Sequence, residues 1–286
     1  VIFEDDVDWD VRLRSELEHF AKASRVLTNE PLDLSDYPVV TSNNPENEDS
    51  IHSEVSQNEI SSSLFSLPLS NIPLPTSTAP YGDPSKWDVL WLGHCGVGFP
   101  RPSGYPAAYD ERNIILTLAD DETVPQPRYL RAHPFGPLDA LAESHPPHTR
   151  VFHRASGGAL CTVAYAVSQR GARRLLQEYS VTKWSKIWDG ELGDWCAGTD
   201  SFWRKSGERK CITSQPPIFA HHHPAGGRSN IGGLGGGYAT SVETKYLRFS
   251  VRMNLQALVR NGGPEELEDQ WPDKDDIQEE GETVRK

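Results

Sequence analysis

Short apolar runs, separated by polar stretches rich in glycine and proline, recur along the chain. Residues 1–3 are apolar and run directly into Glu4-Asp5-Asp6. That pattern predicts a buried strand delivering carboxylates to its carboxyl end. Residues 11–27 change to helical spacing, with Leu13, Leu17, Phe20 and Ala21 on one face. Residues 88–92 predict a second buried strand closed by Gly93, and residues 113–118 a third. Residues 151–153 and 160–167 read as further extended segments. Residues 168–176 form an amphipathic helical pattern, with Ser168 as its N-cap and Ala172, Leu175 and Leu176 facing inward. Residues 210–213 and 218–220 add two short extended pieces. Strands alternating with helices predict an α/β sheet. In such sheets ligands gather at the carboxyl ends of strands, the kind of position that Glu4, Asp5 and Asp6 occupy.

Two segments break this pattern. Residues 41–80 are rich in Ser, Asn, Pro and Glu with one aromatic, Phe65. Such a stretch buries too little surface to offset its ordering entropy, which predicts a disordered insertion. Residues 264–286 predict a disordered acidic tail. The chain thus divides into 1–40, the start of a catalytic-type domain, the insertion 41–80, the remainder of the domain at 81–263, and the tail. Residues 226–237 are glycine-rich without phosphate-loop spacing and read as a flexible loop.

Charge follows the same division. The tail carries ten acids against three bases and residues 41–80 carry five acids with no Lys or Arg, so the flanks hold all but one unit of the formal charge of −13. The body is nearly neutral, which argues against an acidic partner surface and against nucleic acid as a partner. No run of 18 apolar residues predicts a membrane span. The chain opens on Val1, so any targeting segment would lie upstream. Cys95, Cys161, Cys196 and Cys211 lack zinc-knuckle spacing. A disulfide could join Cys196 to Cys211 across a polar loop, but buried free thiols are the favoured reading.

Three constellations carry candidate chemistry. Glu4, Asp5, Asp6 and Asp8 place four carboxylates within five residues, and a divalent cation, Mn²⁺ or Mg²⁺, would relieve their repulsion. A solvated acidic turn accounts for the same residues. Asp189, Asp194 and Asp200 lie among Trp184, Trp188, Trp195, Phe202 and Trp203. Aromatic faces there could stack on a sugar while a carboxylate acts as general base; a helix with its tryptophans in the core is the competing reading. His221-His222-His223 cannot all point one way on a strand. One of them, with His223 the candidate, could complete a metal shell begun by Asp6.

In order and spacing these segments resemble glycosyltransferase family 25, the lipooligosaccharide and collagen galactosyltransferase-like group, in its fungal form. The matching residues are the apolar strand into Glu4-Asp5-Asp6, Trp87-Asp-Val-Leu-Trp-Leu-Gly93, the Tyr165-to-Leu176 unit with its Val-Ser-x-x-Gly-Ala core, the downstream Asp189, and Pro216-Pro-Ile-Phe219 before the histidines. The resemblance covers roughly residues 1–27 and 86–231. It implies a GT-A-like fold and inverting transfer of a sugar, galactose among the candidates, from a nucleoside-diphosphate sugar to a glycan or glycoprotein acceptor. Glu4 and Asp5 would hold the diphosphate, Asp6, Asp8 and His223 the metal, and Asp189, with Asp200 in reserve, would deprotonate the acceptor. It also implies a fold incomplete at its N-terminus and, in eukaryotes, a secretory-pathway lumen. A non-catalytic carbohydrate-binding module is the main alternative. A metal-dependent hydrolase ranks below it for want of a two-metal motif.

Overall fold

The computed structural model describes residues 1–28, 65–73, 79–100, 114–133, 135–180, 187–198, 208–227 and 241–273. A ten-stranded mixed sheet organises them. Its strands are β1 (Ile2–Phe3), β2 (Val7–Trp9), β3 (Phe65–Pro68), β4 (Val89–Gly93), β5 (Ile114–Leu118), β6 (Arg150–Arg154), β7 (Ala164–Val167), β8 (Cys211–Gln215), β9 (Phe219–His223) and β10 (Glu243–Thr244). The helices are α1 (Leu13–Thr28), α2 (Ala140–Ser144), α3 (Gln169–Tyr179), α4 (Trp188–Ala197) and α5 (Val251–Val259). The main path runs β1-β7-β4-β8-β6-β5-β3, and β9 joins the end of β4 and pairs with β2 and β10. β4 is parallel to β8 and β9, and β3 is parallel to β5; the other pairings are antiparallel.

The central strands β4, β6 and β8 are buried along their whole length because both faces of the sheet are covered. Successive side chains of a strand alternate between faces. Leu90 and Leu92 of β4 join Phe20, Ala23, Val26 and Leu27 of α1 on one side, with Phe152 and Ile212. Val89 and Trp91 join Leu175 of α3 and Leu192 and Trp195 of α4 on the other. Ser168 caps α3 as its sequence predicts, accepting from the Gly171 amide and donating to the Trp87 carbonyl at 2.6 Å. Leu175 is buried, but Leu176, expected to face inward, is 68% exposed: α3 turns a narrower stripe to the sheet than its apolar pattern suggests.

Gly171 explains one glycine of the helix-opening motif. A Cβ there would lie 2.2 Å from the Asp88 carbonyl oxygen, because α3 crosses the backbone that enters β4. Gly171→Ala must push helix and strand apart. It is expected to destabilise by about 1–3 kcal/mol, read as a lower urea midpoint at unchanged slope.

Four expectations need correction. β1 is an exposed edge strand paired to β7, not a buried one; two residues form too short a strand to be covered on both faces. The segment 41–80 contains structure: β3 pairs with β5, and Leu67, Leu69 and Ile72 are buried in the core. The polar composition of the whole segment masks one alternating run, Leu67-Pro-Leu69, while 41–64 and 74–78 lie outside the described residues. The tail packs as far as residue 273. Arg248 meets Asp269 and, at 3.1 Å, Asp273, and the Trp271 indole donates to the Thr244 carbonyl. The four cysteines form two disulfides, Cys95–Cys161 and Cys196–Cys211, not free thiols. Among the described residues no helix is long and apolar enough to cross a membrane.

Candidate functional site

The connection from β1 to β2 carries the acidic motif, and β2 lies antiparallel to β9, with Val7 opposite His221. This register brings His221 against the acids. Its Nε2 is 2.7 Å from Glu4 Oε2 and 3.7 Å from Asp6 Oδ1. Glu4 is held in turn by the Thr162 hydroxyl at 2.8 Å, and its amide donates to the Val163 carbonyl at 3.0 Å. The opposite ring nitrogen, Nδ1, is 3.5 Å from Cys95 Sγ. Cys95 follows β4, and its disulfide partner Cys161 precedes β7.

The Cys161 amide donates to Asp189 Oδ2 at 3.1 Å, and the other oxygen accepts from the Gly190 amide at 2.7 Å. Asp189 sits in the first turn of α4. That helix comes close to the 159–161 backbone because Gly193 has no side chain: a Cβ there would stand 2.4 Å from the Ala159 carbonyl oxygen. Residues 161–163 therefore link Asp189 on one side to Glu4 on the other. The whole group lies at the carboxyl end of β4, where Gly93 pairs with both Ala164 and Phe219.

The electrostatics are those of an ion pair open to solvent on one side. The hydrogen bond from His221 holds the Glu4 carboxyl below its usual range, with help from Thr162 and against the effect of burial. Burial pulls His221 down, but the Glu4 hydrogen bond and the charges of Asp6 and Glu4 outweigh it and raise its pKa. One carboxylate oxygen each from Glu4 and Asp6 and an imidazole nitrogen of His221 lie within 4.8 Å of one another. These three groups could hold a divalent cation: carboxylate oxygens suit hard ions such as Mn²⁺ or Mg²⁺, and an imidazole suits a transition ion better than Mg²⁺.

Other candidates fall elsewhere. The Asp5 side chain is exposed, and its carbonyl accepts from Arg252 at 2.6 Å. Asp8, expected as a metal ligand, is fully buried with both oxygens filled. They accept from the Thr244 and Ser250 hydroxyls and from the Trp9 and Arg252 amides, which ties β2 to β10 and to the start of α5. His221 takes the place expected of His223. The two rings share a face, 6.1 Å apart, but β9 carries His223 one pair further along, opposite Glu243 of β10. His222 points the other way, 3.0 Å from the Thr244 hydroxyl, in keeping with strand alternation. Trp195 is a core residue at 0% exposure rather than a sugar platform, and the Trp188 indole donates to the Tyr165 hydroxyl. Trp184, Asp200, Phe202 and Trp203 lie outside the described residues. Thr162 and the Cys95–Cys161 bridge have no local sequence signal, since each gains its place only through tertiary contact.

No protein-family model matches the chain, and neither a curated protein nor a solved structure matches it significantly.

Proposed function

We propose that this chain is the catalytic region of a metal-assisted, inverting glycosyltransferase of GT-A-like fold. It transfers a sugar, galactose among the candidates, from a nucleoside-diphosphate sugar to a hydroxyl of a glycan or glycoprotein acceptor. The observation that supports this is convergence: the Glu4–Asp6 turn, His221 and, through the backbone of residues 161–163, Asp189 come from distant parts of the sequence to the carboxyl end of β4. Glu4, Asp6 and His221 would hold a divalent cation, which would supply positive charge to offset the charge that collects on a departing nucleoside diphosphate. Thr162 fixes the Glu4 carboxylate. Asp189 takes the proton of the acceptor hydroxyl as that oxygen bonds to the sugar C1; the bond from C1 to the diphosphate oxygen breaks, and its electron pair leaves with the diphosphate. Two disulfides favour an oxidising compartment, and we place the protein in the secretory-pathway lumen.

The metal site is tested by calorimetric titration with Mn²⁺ in the presence of a nucleoside-diphosphate sugar. Asp6→Asn and His221→Gln are each expected to weaken Mn²⁺ by about tenfold or more, since even outer-shell changes cost that much. His223→Gln is expected to change it little. Equal affinity in the wild type and both ligand variants, with the fold intact, sinks the assignment. Donor binding without sugar transfer would instead favour the non-catalytic module.

A further inference from the structure

At the other end of the sheet, β6 runs out at Arg154, and β8 begins at Cys211, opposite Val89 at the start of β4. This is the edge away from Gly93 and the acidic cluster. A small pocket opens here, lined by Arg154, Ser156, Glu208, Arg209 and the Cys196–Cys211 disulfide. Its cavity volume is about 20 Å³. That is room for one or two oxygen atoms, since about 10–15 Å³ holds one water.

Its donors outnumber its acceptors. The Arg154 side chain is 3% exposed, and Nη2 meets the Glu208 carboxylate. Among the described residues Arg154 Nε and Nη1 are buried without a hydrogen-bond partner, as is Ser156 Oγ. Buried polar groups are ordinarily paired, and an unfilled charged donor is among the costliest exceptions. Arg209 brings a second buried guanidinium to the same lining. Arg170 and Arg174 both reach the Glu208 carbonyl. Across this corner Arg154, Arg170, Arg174, Arg209 and Lys210 face Asp88, Glu178 and Glu208, so the local field is positive. Glu208, half-exposed, stands at the rim where it can turn to solvent.

We infer that this pocket binds an oxyanion, a phosphate or carboxylate group, whose inward oxygens accept from Arg154 and Ser156. A phosphate has acceptors enough for both Arg154 nitrogens and the Ser156 hydroxyl while its remaining oxygens face the opening. The inference uses none of the residues of the acidic cluster and stands apart from the transferase reading.

The test is thermal unfolding and calorimetry of the whole chain with inorganic phosphate, against chloride at equal ionic strength. A saturable rise in Tm beyond that given by chloride is expected, as for any ligand of the folded state. Ser156→Ala should weaken phosphate several-fold while leaving the fold unchanged. Arg154→Gln should weaken it by about tenfold or more, as expected for losing a charged donor. Methyl phosphate and acetate identify the source: binding of methyl phosphate points to a phosphate ester, inorganic phosphate alone to the free ion, and acetate alone to a carboxylate. No response to any of these beyond chloride overturns the inference. So does phosphate affinity unchanged in Ser156→Ala and in any folded Arg154→Gln, or a crystal structure grown in phosphate with only water against Arg154.

Discussion

Replacing Arg150 with methionine is expected to destabilise the protein by about 3–5 kcal/mol, the usual cost of removing one partner from a buried ionic network. Arg150 opens β6 and is 1% exposed. Its Nε donates to Asp121 at 2.7 Å, Nη1 to the Pro216 carbonyl at 2.7 Å, and Nη2 to Glu16 and the Thr123 hydroxyl, both at 2.8 Å. One guanidinium thus joins α1, the turn after β5 and the turn between β8 and β9. It faces two buried carboxyls that it does not serve equally. Burial raises Glu16 to about 8 against the pull of Arg150, so Glu16 is the more weakly ionised of the two. Burial also pushes Asp121 up, but Arg150 and Thr123 outweigh it and hold Asp121 below its usual range. Methionine would therefore strand chiefly the Asp121 charge. Arg150→Lys keeps the charge without the planar fork and should fall between wild type and Arg150→Met. Urea unfolding of the three proteins decides; a loss under about 1 kcal/mol for Arg150→Met would show that water or rearrangement replaces the network.

The same network has a pH signature. A carboxyl whose folded pKa is raised contributes stability fully present below its unfolded pKa, lost as pH rises through the folded value. For Glu16 that window runs from 4.5 to about 8. Glu16→Gln should flatten the decline across it. Sequence patterning is blind to this device, because a charged residue at the mouth of a strand reads as solvent-facing.

What the chain reveals locally and what it withholds divide along the same line. The apolar strands β4 and β5, the α3 cap at Ser168 and the acidic turn after β1 rest on residues close in sequence, and they are legible there. β3 is not, because Leu67 and Leu69 sit in a segment whose average composition is polar. The disulfides depend on which loops meet: the polar loop between Cys196 and Cys211 leaves that bond possible in the sequence, although free thiols are favoured there, whereas Cys95 and Cys161 meet only because β4 and β7 are neighbours. The acidic cluster shows the limit most clearly. Its carboxylates stand out in the sequence, but the choice among three histidines turns on the β2–β9 register. A shift of one residue would bring His222 to the acids and turn His221 away. Asp8 reads as a ligand for the same reason: its count among acids is visible, and the hydroxyls of Thr244 and Ser250 that occupy it are more than 230 residues away.

Asp189→Asn is expected to lower kcat by about 10²–10⁴-fold, the contribution of a positioned general base, with donor affinity at the Glu4, Asp6 and His221 cluster little changed. The expectation rests on where Asp189 is held. Its two oxygens each accept one backbone amide, from Cys161 and from Gly190, which fixes the carboxylate while leaving each oxygen a further lone pair. The side chain is partly exposed, so a bound hydroxyl can reach it. Asparagine preserves shape and one acceptor but has no basic oxygen, and its NH₂ would face one of the two amide donors. A modest loss of stability therefore accompanies the substitution, and turnover must be counted per folded molecule. A purely structural Asp189 would give a less stable protein whose folded fraction turns over normally. A base gives a folded fraction that binds donor and fails to transfer. If Asp189→Asn retains near-normal kcat and Asp200→Asn does not, the role passes to Asp200. If both retain it, neither carboxylate removes the proton, and the chemistry assigned to the α4 end of the site is wrong even where metal and donor bind as proposed.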